Sequence, residues 1–241
     1  MNRNNVWSGV VGLYLLSSCH TTWGGGDCVT GTGNTVRKTL TISEFNGISV
    51  EGSLDVHIVK GSAQLVEVVG QPELVALMNT DVEHGVWKIG TTGCFNTNKE
   101  FAVYITTNLL SSLATEGSGD IHSADVFGSG RSTFSVAGSG DIVVTGVNDK
   151  EVNAEIAGSG SITLNGTCTE FEAGVAGSGD VHAQGVSANT VEVSIDGSGG
   201  VDITAISELN VDVNGSGTVR YRGKPQVTSN VQGSGAVVPV D

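Results

Sequence analysis

Three aspartates recur in one local sequence in the second half of the chain, each directly after a Gly-Ser-Gly triplet. They are Asp120, Asp141 and Asp180. If successive triplets stack on neighbouring strands, Asp120 and Asp141 lie about 5 Å apart, the spacing of hydrogen-bonded strands. Two carboxylates that close are candidate calcium ligands. The other copies hold Ser161, Gly200, Thr218 and Ala236 at this position. Because most of the column lacks a carboxylate, we favour turn residues that bond nearby backbone N–H groups over a metal site.

Glutamates and histidines also recur at fixed repeat positions. Glu172 and Glu192 share one position on successive copies and could form the carboxylate pair of a glycosidase. Short loops and few aromatic residues favour a solvated polar face instead. His57, His122 and His182 share another position, on the outer face. We expect them to lie on non-adjacent coils, too far apart to share a metal, and to be surface residues without a role.

The triplets themselves define the elements that position these side chains. They begin at intervals of 18 to 21 residues, at Gly117, Gly138, Gly158, Gly177, Gly197, Gly215 and Gly233, and one more, at Gly128, falls between. In the seven periodic copies the fourth residue after the first glycine is Ile or Val, and apolar residues alternate with polar ones on both sides of the triplet. A period of two indicates strands with one buried face. Two strands per repeat, with glycine at the corners, predict an all-β fold, a parallel β-helix or β-solenoid with coils of about 20 residues. A β-propeller, with two repeats per blade, is the alternative.

The composition narrows the classes of partner. The chain has 241 residues, 36 of them glycine, and a formal net charge of −14. A nucleic-acid-binding protein needs a basic stripe, so we expect no nucleic acid as partner. The triplets lack the Gly-Lys-Ser/Thr of a phosphate-binding loop, and the chain has no Gly-x-Ser-x-Gly elbow. We therefore predict no enzymatic activity, no catalytic residue and no cofactor.

The amino terminus has the pattern of an export signal. Arg3 precedes a short apolar stretch, and Leu16-Ser17-Ser18-Cys19 resembles the lipobox of bacterial lipoproteins. That resemblance implies cleavage before Cys19 and lipid attachment to its thiol, with an ordinary signal peptide as the alternative. Lipid chains would anchor the protein at the membrane without spanning it. The residue after the cysteine, His20, favours the outer membrane. Of the three remaining cysteines, Cys28 and Cys94 could pair in an oxidising envelope, and Cys168 is expected to be a free, at least partly buried thiol.

The first half of the chain is less regular. We predict strands at 46–51, 54–60, 65–69, 86–90 and 101–106, and a short helix from Pro72 to Met78. The sequence Glu51-Gly52-Ser53-Leu54-Asp55-Val56-His57 mirrors Glu116-Gly117-Ser118-Gly119-Asp120-Ile121-His122, which predicts a degenerate first repeat. The predicted organisation is a signal peptide over 1–18, a flexible tether over 19–38, a strand-rich section and cap over 39–110, and regular repeats over 111–241.

These segments together resemble a known family. The stretch from Ile42 to Val50, the stretch from Gly52 to Ile58 and the Gly-Ser-Gly-Asp-Ile repeats are similar to the auto-transporter adhesin head GIN domain family. The resemblance covers about residues 39 to 236 and implies a right-handed β-helical fold in an exported or lipid-anchored bacterial protein. No binding or catalytic residue comes with it. We therefore expect a lipid-anchored cell-envelope protein with a structural or adhesive role, which contacts a glycan or protein at the cell surface. The alternative is a carbohydrate-binding or carbohydrate-active β-helix protein.

Overall fold

Strands make up most of the computed structural model, which describes residues 27–124 and 127–240. The first half contains β1 (Val29–Thr30), β2 (Val36–Leu40), β3 (Gly47–Gly52), β4 (Asp55–Lys60), β5 (Leu65–Gly70), α1 (Pro72–Val75), β6 (Val82–Glu83), β7 (Val86–Ile89), β8 (Phe95–Asn96) and β9 (Ala102–Thr107). The second half contains β10 (Ser112–Gly117), β11 (Ile121–Ala124), β12 (Arg131–Gly138), β13 (Ile142–Gly158), β14 (Ser161–Gly177), β15 (Asp180–Gly197), β16 (Gly200–Gly215), β17 (Thr218–Arg222), β18 (Gln226–Gly233) and β19 (Ala236–Pro239). The fold is a β-solenoid of about six turns with coils of about 20 residues, which confirms the predicted fold class.

The core follows from parallel, in-register stacking of equivalent residues. Ile142 pairs with Ile162, Ile162 with Val181, and Val181 with Val201, and all four are fully buried. Each such side chain contributes about 1.5–3 kcal/mol relative to an exposed one. Because each coil buries its apolar face mainly against its two neighbours, stability accumulates along the stack.

The Gly-Ser-Gly triplets form one corner of each coil. The N–H groups of Ser159 and Gly160 donate to the carbonyl oxygen of Gly138, at 2.9 and 3.2 Å, and the same pattern recurs along the corner. Gly158 has φ +153°, and a Cβ built there would lie 2.2 Å from that oxygen. The corner therefore requires glycine for close stacking of backbone on backbone as well as for its φ angle.

The triplet at Gly128, which falls off the period, has a different environment. Asp149 on the next coil is buried, at 7% exposure. Its carboxylate accepts the N–H of Gly130 at 2.6 Å and the hydroxyl of Ser132. These bonds fasten the loop before β12, so this triplet belongs to a loop and not to the corner column.

The irregular first half joins the same stack. Gly52 pairs with Gly117 where β3 meets β10, and Val56 pairs with Ile121 where β4 meets β11. This register matches the degenerate first repeat. β5 and β2 add antiparallel strands beyond β9, and β6 and β7 form a hairpin whose turn includes His84 at φ +52°. The expected helix over 72–78 is shortened to α1, Pro72–Val75.

Strands occur in part of the segment that the sequence predicts to be a tether. Residues 19–38 are expected to be a flexible tether, but β1 lies in this range and pairs with β8, and β2, which begins at Val36, pairs with β5. β2 contacts the core through its last residue, because Leu40 packs against it while Val36, Arg37 and Lys38 are exposed. The signal peptide over 1–18 and the lipid site Cys19 lie outside the described residues.

Candidate functional site

The aspartate column closes the corner between successive coils. The carboxylate of Asp120 accepts the backbone N–H of Asp141 at 2.9 Å. The carboxylate of Asp141 accepts the N–H and the hydroxyl of Ser161, both at 2.8 Å. Asp55 accepts the N–H of Asp120 at 3.2 Å in the same way. Oxygens engaged with backbone donors are poorly placed to coordinate calcium, and this geometry supports the turn role.

A broad acidic surface lies on the other side of the corner. On the strand segments that precede each triplet, outward-facing positions align in columns from β12 to β16 and β18. We call this surface the acidic face. Its carboxylates are Glu151, Glu155, Glu170, Glu172, Glu192, Asp196, Glu208 and Asp212. Arg131 on β12, at the first end of these columns, is cationic and forms an ion pair with Glu151. This pairing lowers the pKa of Glu151, with Lys150 as a second cause.

The acidic face contains a shallow depression of about 280 Å³ that includes the predicted glutamate pair. Glu172 and Glu192 are register partners on β14 and β15, as the repeat predicts, and both are exposed. Phe171 borders the depression but is only 2% exposed, so its ring offers no stacking platform to a sugar. The Oδ1 atom of Asn153, also at its edge, is buried without a hydrogen-bond partner.

The expectation that the histidines lie on non-adjacent coils is wrong for two of them. His57 and His122 are register partners, and their rings stack at 5.6 Å between centroids. Tyr104 stacks on the other face of His57 at 5.0 Å, and Arg37 lies 4.5 Å above the tyrosine ring. Between these two strands the chain forms another layer on the opposite side of β3 and β4, where β7 pairs with β3 and β9 pairs with β4. These neighbouring coils are therefore far apart in sequence. The stacked rings of Tyr104, His57 and His122 connect the irregular section to the regular coils.

His182 lies farther along the same outer surface. Its Nδ1 is 3.3 Å from Asp202, and Arg220 donates to the same carboxylate at 3.4 Å. The three residues occupy successive coils, with the aspartate between the two bases. Such exposed pairs contribute about 0–1 kcal/mol each. Among the described residues, no group of three or more His, Cys, Asp or Glu side chains is arranged to hold a metal ion.

The three cysteines among the described residues occupy two kinds of environment. The sulfurs of Cys28 and Cys94 are 2.20 Å apart, with their Cα atoms at 4.8 Å, as in a disulfide bond. This contact joins the segment before β1 to the loop before β8. Cys168 is a partly buried free thiol on β14. Burial, with a smaller effect of Asp149, raises its pKa to about 11. A thiol with so high a pKa is a weak nucleophile at neutral pH.

Comparison with known proteins settles the family. The family model described as "Putative auto-transporter adhesin, head GIN domain" matches residues 44–225. The chain belongs to this family. The match contains both the mirrored first repeat and the corner triplets up to Gly215, so the family is defined on the solenoid itself. No curated protein matches this GIN-domain chain.

Several solved structures share the fold. A structure described as a putative adhesin from Bacteroides fragilis has a TM-score of 0.79 at 21% identity, covering 88% of this chain and all of that one. A structure described as a putative lipid binding protein from Parabacteroides distasonis has a TM-score of 0.74 at 24% identity, covering 89% of this chain and all of that one. A putative adhesin from Parabacteroides merdae has a TM-score of 0.68 at 24% identity, covering 90% and 100%. At these identities the likeness shows the fold alone.

Proposed function

We propose that this GIN-domain chain is a non-enzymatic binding head of the bacterial cell envelope, anchored by lipid on Cys19 and adhering through the acidic face. The family and the adhesin descriptions of its structural neighbours support an adhesin-like role. The observation that carries the proposal is the acidic face, where exposed carboxylates stand in register on stacked strands. A rigid, broad surface of this kind suits an extended cell-surface partner better than a small substrate, which needs a concave pocket.

Charge favours a partner with cationic groups. Glu170 and Glu172 project from one coil, with Thr190 and Glu192 beside them on the next. Like charges that close repel one another, and a partner that supplies ammonium or guanidinium groups removes this repulsion. Since the groups are exposed, such binding weakens as salt is added.

A carbohydrate-active role is the second candidate, favoured by the depression around Glu172 and Glu192. Two observations weigh against hydrolysis. Phe171 is too buried to stack on a sugar ring. The two glutamates also occupy equivalent, exposed positions, whereas a glycosidase needs two different environments to give one carboxyl the role of acid and the other that of nucleophile.

The contact surface can be tested by a glycan array combined with immobilised envelope proteins. We expect binding that falls with added salt and falls at least about tenfold in E170Q/E172Q/E192Q. The matched control E44Q/D81N/E83Q makes the same charge change on exposed residues of the first half and should bind like the native chain. Equal binding by both variants contradicts the role of the acidic face. Release of reducing ends from a polysaccharide substrate contradicts the non-enzymatic proposal.

The anchor has its own test. In cells, Cys19→Ala should move the protein from the membrane fraction to the soluble fraction, because the lipid-bearing thiol is lost. Retention in the membrane fraction contradicts the lipoprotein proposal. Among the described residues, no helix has the length and apolar character to cross a bilayer.

A further inference from the structure

The two ends of the solenoid are finished differently. At the first end, β2 carries the charged Arg37 and Lys38, and the core residues Leu74 of α1 and Trp87 of β7 are fully buried. Charged residues on an edge strand discourage pairing with other chains. At the second end, β18 pairs with β16 and β19 pairs with β17, and within the described residues neither has a strand on its other side. β18, and β19 up to Pro239, therefore present unpaired backbone N–H and C=O groups.

Core positions are uncovered at this second end. Val227 and Val231 of β18 are 37% and 38% exposed, whereas their register partners Leu209 and Val213 are 0% and 2% exposed. The same apolar positions that every inner coil covers are thus open on the last coil. An open strand edge above exposed core valines is a template for further strand pairing.

The last coil also differs from the rest in charge. Neither β18 nor β19 contains an Asp, Glu, Lys or Arg residue, although the chain carries a net charge of −14. Gln226 follows Glu208 in register, and Asn230 follows Asp212. The acidic columns therefore change to amides on the last coil. A surface that meets a copy of itself brings like charges together, so removing them is what self-contact requires.

From these features we propose that the last coil, formed by β18 and β19, is a contact surface for a second copy of this chain. The charged and covered first end cannot serve as the mate, so the contact joins two second ends, tail to tail, about a twofold axis. Strands related in this way extend the sheet across the contact, and Val227 and Val231 of each copy become buried. The acidic faces of the two copies then form one longer surface.

Oligomeric state measured on the full chain tests this contact. Sedimentation and light scattering should show a mass that doubles from 24.5 kDa as concentration rises. The dissociation constant should rise at least about 100-fold in V227K/V231K, which places charges where the contact excludes water. The control T190K/N210K adds the same charge to outward-facing positions of inner coils and should still dimerise. Circular dichroism verifies that both variants fold.

Hydrogen exchange identifies what covers the edge. We expect the amides of β18 and β19 to become protected as concentration rises, and to lose that protection in V227K/V231K. A chain that stays monomeric at about 100 µM overturns the proposal, since weak specific contacts are populated there. A dimer that persists in V227K/V231K overturns it as well. Protection that does not depend on concentration also overturns it, because another segment of the same chain then covers the edge.

Discussion

Replacing one corner glycine tests whether close stacking holds the coils together. In Gly158→Ala the new Cβ would stand 2.2 Å from the carbonyl oxygen of Gly138 and 3.0–3.1 Å from its N and C atoms. The atoms it meets are backbone, which cannot turn aside as a flexible side chain can. Gly138 must therefore move, and its carbonyl oxygen is the acceptor for the N–H groups of Ser159 and Gly160.

The expected loss has two parts. Overpacking of a close contact costs about 1–3 kcal/mol. Holding a residue other than glycine in a sparsely populated region of φ costs about 1–3 kcal/mol more, and Gly158 has φ +153°. We expect a loss of about 2–6 kcal/mol in the free energy of unfolding. For a chain of this size each kcal/mol lowers the melting temperature by about 2–4 °C.

Gly174→Ala is the matched control. Gly174 lies within β14, inside the same stack, and its added Cβ would meet only the Cγ of Glu155, at 3.8 Å. Alanine is favoured over glycine in a strand interior, so this variant should be unchanged or more stable by about 0.5–1 kcal/mol. Urea unfolding followed by circular dichroism measures both. If Gly158→Ala is as stable as Gly174→Ala, the corner is not packed as described and the steric reasoning is refuted.

Three further predictions concern single side chains. After reduction, the denatured chain should show two more alkylated cysteines, and an unchanged number contradicts the Cys28–Cys94 pairing. Cys94→Ala should lower the free energy of unfolding by about 2–4 kcal/mol, because the disulfide bond restricts the unfolded chain. Cys168 should react with a thiol reagent at pH 8 about 100-fold more slowly than an exposed cysteine does. The reaction should become faster as the pH rises toward the Cys168 pKa of about 11. A fast reaction at pH 8 contradicts its burial. Asp141→Ala removes the acceptor of two hydrogen bonds and should lower the free energy of unfolding by about 1–2 kcal/mol. The carboxylate of Asp180 accepts no such bond among the described residues, so Asp180→Ala should change this free energy by less than about 0.5 kcal/mol. Equal losses in the two variants contradict the turn role.

The regular half could be predicted because each of its local signals agrees with the stack. Ile142, Ile162 and Val181 recur at one position, and the structure places them in one buried column. The pairing of Glu172 with Glu192 follows from the same alignment. Strong periodicity leaves one register that covers the core, since a slip by one residue would expose every apolar side chain.

The adjacency of His57 and His122 was missed although its signal was visible. Both follow the same Asp-aliphatic pair in the mirrored first repeat, and that match predicts register. The chain between the two histidines does not separate their coils, because it packs on the opposite side of β3 and β4, where β7 pairs with β3 and β9 pairs with β4. Pairing of two strands whose histidines are 65 residues apart in the sequence depends on long-range packing, which the periodicity of a sequence does not encode. The strands within 27–38 were missed for the same reason, since β2 is ordered by a distant partner.

Stacking also separates positions fixed by the fold from positions free to carry function. The corner glycines, Asp120, Asp141 and the aliphatic column are each explained by contacts with the next coil, so they need no ligand to account for them. The outward columns are not constrained in this way. One of them runs Arg131, Glu151, Glu170, Thr190, Glu208 and Gln226. The side chain in this column is cationic at one end of the stack, mostly acidic along the middle and neutral at the other end, although the strand geometry is the same throughout. Because packing does not require that change, we propose that it reflects binding at the acidic face and self-contact at its neutral end.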